Sequence, residues 1–235
     1  MNRIRTFFIL LFIISLLSGC AVMTERAPEN APLTRVEAQK AASGLQDRGS
    51  GEVLLVMSFS GGGSRAAALA YGVLKGLRDT PLEGAGQRRL LDEVDMISAV
   101  SGGSVTAAYY GLFGERLFTD FRQDFLQRNV TQELKDIVLS AGTLTRLSSE
   151  TFGTGDVLDE YFRHQLYGSA TLDRLLDADG PFVQINATDL FKGGQFGFTR
   201  EQFALICSDV SRFPVSRAVA ASSAVPVLFT PITLT

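Results

Sequence analysis

Two glycine-rich turns carry the residue types that could do chemistry. Ser101 stands in Ala99-Val100-Ser101-Gly102-Gly103, and Gly61-Gly62-Gly63-Ser64-Arg65 precedes it in the chain. A serine hydroxyl is a weak nucleophile at neutral pH and needs a base, while the tetrahedral intermediate of acyl transfer needs donors aimed at its oxygen. A glycine turn that opens a helix supplies such donors, because consecutive backbone N–H groups converge where the helix dipole is positive. The base is harder to find. His164 is the only histidine in the chain, and it falls in Val157–Leu166 (VLDEYFRHQL), whose spacing is that of an ordinary amphipathic helix. It reads as a surface or helix-packing residue, which argues against a Ser-His-Asp triad.

The elements around these turns must place them together. Val53–Ser60 (VLLVMSFS) is a continuous apolar run of the kind shown by a strand buried on both faces, and Ala66–Leu77 (AAALAYGVLKGL) reads as a helix rich in small residues. Val94–Val100 (VDMISAV) is again strand-like, and Ser104–Leu112 (SVTAAYYGL) can be helical. Ser101 therefore sits at a strand-to-helix bend with small neighbours, the arrangement of a nucleophile elbow, with alanine in the first glycine position of G-x-S-x-G. Gly61-x-Gly63-x-x-Ala66 also fits a degenerate dinucleotide fingerprint. That rival needs an acidic residue closing the second strand, where Thr80–Gly86 is turn-like instead. A Walker loop needs Gly-Lys-Ser/Thr, which the glycine turn lacks.

Taken together, the two turns resemble the patatin-like phospholipase family. The resemblance places Gly61, Gly62 and Gly63 at the oxyanion-hole positions, Arg65 at the basic, substrate-binding position and Ser101 at the nucleophile. Phe182–Leu190 (FVQINATDL) and Pro214–Pro231 (PVSRAVAASSAVPVLFTP) look like the family's central strand and its small-residue helix with the following turn. It implies a three-layer α/β/α fold with a mainly parallel central sheet over residues 52–235. It also implies serine hydrolysis of acyl esters in membrane phospholipid or another lipid, with no metal or organic cofactor. Without the resemblance, Arg65 reads equally as a solvated charge at a helix start.

The family pairs its serine with an aspartate in an Asp-Gly downstream of that last turn. Asp179-Gly180 is the only Asp-Gly here, and it precedes the Phe182 strand, the wrong place in the family order. The expectation is a truncated frame whose dyad aspartate lies beyond Thr235. The alternative is a catalytically inactive lipid-binding or structural lipoprotein fragment. Asp189, at the carboxyl end of the Phe182 strand, lies on the side where open α/β sheets bind ligands, yet capping a loop turn is its favoured reading. Phe118, Phe121 and Phe125 fall at helical spacing within Gly114–Val130; they suit a lid or, preferably, a helix layer packed on the sheet.

The first nineteen residues read as a signal peptide, with Arg3 and Arg5 before the apolar run Phe7–Leu17. Leu17-Ser18-Gly19-Cys20 resembles a bacterial lipobox, which makes Cys20 the lipidated residue. Residues 20–51 then form a tether with a short helix near Arg35–Ala42, and by resemblance Ala21 favours the outer membrane of a Gram-negative bacterium. Several acyl chains would hold such an anchor stably. Cys207 is left as a lone thiol, expected to be buried in the Phe203-Ala-Leu-Ile-Cys run, so a disulfide framework is excluded. The 235 residues carry a formal charge of −3, against a nucleic-acid partner, and 46% hydrophobic content, against disorder.

Overall fold

The computed structural model describes residues 30–33, 53–82 and 88–234. The signal peptide, Cys20, the short tether helix near Arg35–Ala42 and most of the Thr80–Gly86 turn lie outside the described residues.

Three apolar runs become parallel strands. β1 (Leu55–Phe59) pairs with β2 (Val94–Val100), and β2 pairs with β3 (Phe182–Thr188); β4 (Gln195–Gly197) returns antiparallel on β3. Helix α1 (Gly63–Arg78) joins β1 to β2, and α2 (Gly102–Phe113) leaves β2 at its carboxyl end. The sheet order is β1-β2-β3-β4, an α/β arrangement with a mainly parallel sheet. Because the strands follow one another in order, right-handed crossovers put both helices on one face. They pack together there, and Thr106 Oγ1 on α2 donates to Ala67 O on α1 (2.9 Å).

That helix-covered face takes Phe59, Ile97, Ala99, Val183 and Ile185 into the core. β1 is not buried on both faces as its apolar run suggests. It is an edge strand among the described residues, and its outer face leaves Val56 51% exposed. An apolar run fixes strand propensity, but only the neighbours decide whether its second face is covered. Between β1 and β2 the register shifts, and Asp95 Oδ2 accepts the Leu55 N–H (2.8 Å).

The segment after α2 departs from the continuous helix that its phenylalanine spacing predicts. It breaks into a 3-10 turn (Gly114–Phe118) and a π turn (Arg122–Leu126). Phe121 and Phe125 are nonetheless buried, with Phe121 ring centroids 5.0 Å from Tyr109 and 5.4 Å from Phe125. They are core and not a lid. Helices α3 (Val130–Val138), α4 (Ala141–Arg146) and α5 (Thr154–Phe162) follow, then a π turn (Arg163–Tyr167) and α6 (Leu172–Leu176). After β4 come α7 (Arg200–Leu205) and α8 (Val215–Ser223).

α8 packs on β3 and on α5, and a buried ionic network fixes the second contact. Arg217 Nη1 lies 2.7 Å from Asp156 Oδ1, while Asp159, itself 3% exposed, accepts from Ser216 Oγ and from Arg163 Nη2 (2.8 Å). Such a cluster persists only because each buried charge has partners; removing one partner strands the other. The chain beyond α8 is no strand, despite its β-prone composition. It crosses the start of α5, where Gly155 N donates to Thr230 Oγ1 (2.9 Å) and Thr230 N donates to Thr154 Oγ1 (2.9 Å).

Two further sequence expectations meet a different outcome. Cys207 is exposed and not buried, because α7 ends before it and Cys207 turns outward with φ 55°. Residues 30–33, inside the segment read as tether, bridge to this same turn: Leu33 N donates to Cys207 O (2.8 Å) and Asp209 N to Ala31 O (2.7 Å).

Candidate active site

The two glycine-rich turns emerge side by side at the carboxyl ends of β1 and β2. Contact between them is direct: a Cβ placed on Gly61 would sit 3.2 Å from Ser101 Cβ and 3.8 Å from Ser101 Oγ. A Cβ on Gly102 would overlap Gly63 O, and one on Gly103 would meet Phe59 Cβ at 2.7 Å and the Phe59 and Ser60 carbonyls at 2.8 Å. The two residues after Ser101 must therefore be glycine, where α2 crosses the end of β1. The alanine at 99, where a glycine is usual, lies within β2 and is fully buried.

Each turn reaches its shape differently. In the first, the left-handed backbone falls on glycines, Gly62 with φ 142° and Gly63 with φ 62°, which adopt it at little cost. Gly61, Gly62, Gly63 and Ser64 are all exposed, and α1 begins at Gly63, so the first-turn amides have no acceptor within the helix. In the second turn the unusual conformation falls on Ser101 itself, with φ 52° and ψ −125°. A non-glycine residue held there costs about 1–3 kcal/mol and persists only where its surroundings over-determine it.

Those surroundings are visible. Ser101 O accepts from Ser104 N (2.8 Å), from Val105 N (3.2 Å) and from Ser104 Oγ (2.6 Å). Ser101 N donates to Ser222 Oγ (2.7 Å) at the end of α8. Deeper in, the Tyr167 hydroxyl donates to Val105 O (2.9 Å), and burial pushes that phenol well above its ordinary range, so it remains a donor. Ser222 and Asn186 were not singled out from sequence. The one trace of Ser222 is the hydroxyl pair Ser222-Ser223, which closes the helix after the small apolar run Ala218–Ala221, and Asn186 leaves none.

Arg65 is on the exposed first turn of α1 and makes no ion pair with any described residue. It is free to meet an anion from solvent. His164 is exposed within the π turn that follows α5, as its helical pattern suggested. Asp189 Oδ1 accepts from Phe191 N (2.9 Å) and Lys192 N (3.2 Å), so it caps the loop after β3. Asp179-Gly180 precedes β3, whose Phe182 pairs with Met96 while Asn186 pairs with Val100. At roughly 3.3 Å per residue this puts Asp179 at the opposite end of the sheet from Ser101, some 15 Å or more away. Among the described residues no side chain hydrogen-bonds to Ser101 Oγ, and no group of three His, Cys, Asp or Glu residues converges on a metal site.

A half-buried serine hydroxyl beside a row of exposed glycine amides can attack a carbonyl carbon and hold the oxygen that becomes negative. Comparison with curated proteins gave no match. Among solved structures the chain is similar to human GIVD cytosolic phospholipase A2 in complex with a methyl gamma-linolenyl fluorophosphonate inhibitor and terbium chloride. The identity is 18% and the TM-score 0.47, and 79% of this chain is covered; the chain spans about a third (32%) of that protein's length. A family model of patatin-like phospholipases matches residues 57–235, from β1 through both glycine-rich turns to the last turn after α8, and the chain thus belongs to the patatin-like phospholipase family.

Proposed function

We propose that this protein hydrolyses acyl esters of membrane lipid with Ser101 as nucleophile. The observation that carries the reading is the contact between the turns: Gly61 lies against Ser101, and Gly63 against Gly102, so nucleophile and amide donors stand side by side. Ser101 Oγ attacks the ester carbonyl, its proton passes to the base, and the carbonyl oxygen becomes an oxyanion held by the Gly61–Gly63 amides. Collapse of the intermediate expels the alcohol and leaves an acyl-serine, which water then cleaves to free acid and serine. Arg65 receives the anionic part of the lipid. The base is the aspartate of a Ser–Asp dyad, a role taken by neither Asp189 nor Asp179. This assignment fits the engagement of Asp189 in its own loop and the remote position of Asp179. The reaction as written uses no metal or organic cofactor.

Labelling with a fluorophosphonate, which traps an activated serine, tests the reading. The full-length protein should be labelled on Ser101, and Ser101→Ala should lose both label and esterase activity; a label on another serine would refute the assignment. The unlabelled outcome, with lipid binding retained, would favour the rival reading of an inactive lipid-binding lipoprotein. The reading also places the domain on the outer membrane through acylated Cys20. Cys20→Ser should abolish incorporation of labelled fatty acid and release the protein from the membrane fraction, and retention of both would sink the anchor.

A further inference from the structure

We propose that Ser222 is a positioning residue for the nucleophile, acting through the backbone of Ser101, and that Asn186 holds Ser222 in place. The inference rests on the reading of Ser101 as nucleophile and goes on to say what keeps its turn in the reactive shape. Ser222 Oγ has one proton, and it is committed to Asn186 O at 2.6 Å, an atom that can only accept. Its lone pair is thereby turned toward Ser101 N–H, which donates to it at 2.7 Å. The direction of both bonds is fixed by that single proton.

These bonds act on the two dihedrals that matter. Rotation about φ of Ser101 swings its amide, held by Ser222; rotation about ψ swings its carbonyl, held by Ser104 and Val105. With both peptide groups tied, φ 52° and ψ −125° cannot relax toward the ordinary β or α regions, and Oγ stays beside Gly61. The carbonyl side is tied locally by α2. The amide side depends wholly on α8, from a residue 121 positions away.

The far end of this relay is anchored in the sheet. Asn186 is 4% exposed; its Nδ2 donates to Ser98 Oγ (3.0 Å) and Ala99 O (3.2 Å) on β2. Its Oδ1 accepts from Gln184 Nε2 (2.7 Å) on β3 and Gln195 Nε2 (2.6 Å) on β4. Three strands thus fix the residue whose carbonyl orients Ser222, and the Arg217 network fixes the helix that carries Ser222. An apolar replacement at 222 would leave the Ser101 amide without its partner and free φ to relax.

The experiment compares wild type, Ser222→Ala and Ser222→Thr in the full-length protein. It follows the fluorophosphonate labelling rate, kcat and KM on a short-chain nitrophenyl ester, Tm, and amide hydrogen exchange across residues 101–103. Ser222→Ala should lower the labelling rate and kcat about 10- to 100-fold with KM unchanged, as expected for a misplaced reacting group. Exchange at 101–103 should speed up, and Ser222→Thr, which keeps the hydroxyl, should restore both. Wild-type labelling in Ser222→Ala overturns the proposal. So does a loss that follows Tm and that Ser222→Thr leaves unrescued, since that marks a merely structural residue. Failure of wild type itself to label at Ser101 would instead overturn the nucleophile reading on which the proposal rests.

Discussion

The Gly61–Gly63 turn and the Ser101–Gly103 turn follow the same kind of strand and open the same kind of helix, yet they are held by opposite means. The first owes its shape to residue type. Its positive-φ positions are Gly62 and Gly63, it is exposed throughout, and its first-turn amides have no acceptors within the helix. The second owes its shape to distant contacts, with a serine at φ 52°, two buried glycines behind it and a hydrogen bond donated to a residue 121 positions away. On the proposed reading, donors kept open for an oxyanion are shaped here by local sequence, on Gly62 and Gly63. Ser101, on that reading, can be clamped from behind, because only its Oγ has to remain free.

The largest expected effect comes from a matched pair of alanine substitutions, one in each turn. Gly103→Ala drives a methyl into Phe59 and two backbone carbonyls that cannot move aside, at a cost of about 3 kcal/mol in unfolding free energy. Gly62→Ala meets nothing closer than Ala66 Cβ at 3.3 Å, so its cost is the strained φ, about 1–2 kcal/mol. Its turnover should fall by about 100-fold as the donors shift. Denaturant midpoints and ester hydrolysis measured on both variants decide this, and equal destabilisation would break the contrast. Next in size is Ser101→Gly, which removes the strain along with the hydroxyl. It should be about 1 kcal/mol more stable than Ser101→Ala by denaturant unfolding, less the entropy glycine adds to the unfolded chain. Stability equal to that of Ser101→Ala would mean that the turn stores no strain.

The smallest effect on stability is expected at Arg65. It is exposed and, among the described residues, makes no ion pair, so Arg65→Ala should change unfolding free energy by less than about 0.5 kcal/mol. Its effect should appear instead in binding: KM for anionic phospholipid vesicles should rise while that for a neutral nitrophenyl ester stays the same. A rise in neither would return Arg65 to an ordinary charge at a helix start.

Much of this site was legible because its requirements are local. Glycines at 61–63, small residues at 102 and 103 and a strand-like run before each turn are written in adjacent positions, and α1 and α2 begin within a turn or so of where the pattern put them. Asp189 also behaved locally, as an Asx-type cap on the loop that follows it. Reading failed where burial depended on partners. Val56 and Cys207 sit in apolar runs yet are exposed, one on an edge strand and one past a helix end. Phe118, Phe121 and Phe125 kept their common face although the helix implied by their spacing broke into 3-10 and π turns.

By itself the sequence determined which residues could stand at a strand-to-helix bend and which backbone could turn left-handed, because both depend on side-chain size at consecutive positions. Only the tertiary structure decided that the two turns touch, that Asp179 lies at the far end of the sheet from Ser101, and that Ser222 and Asn186 stand behind Ser101. Parallel strand register and helix docking bring together residues tens of positions apart. A hydrogen bond between two such residues leaves no periodic trace in the chain, since either serine alone is an unremarked small polar residue.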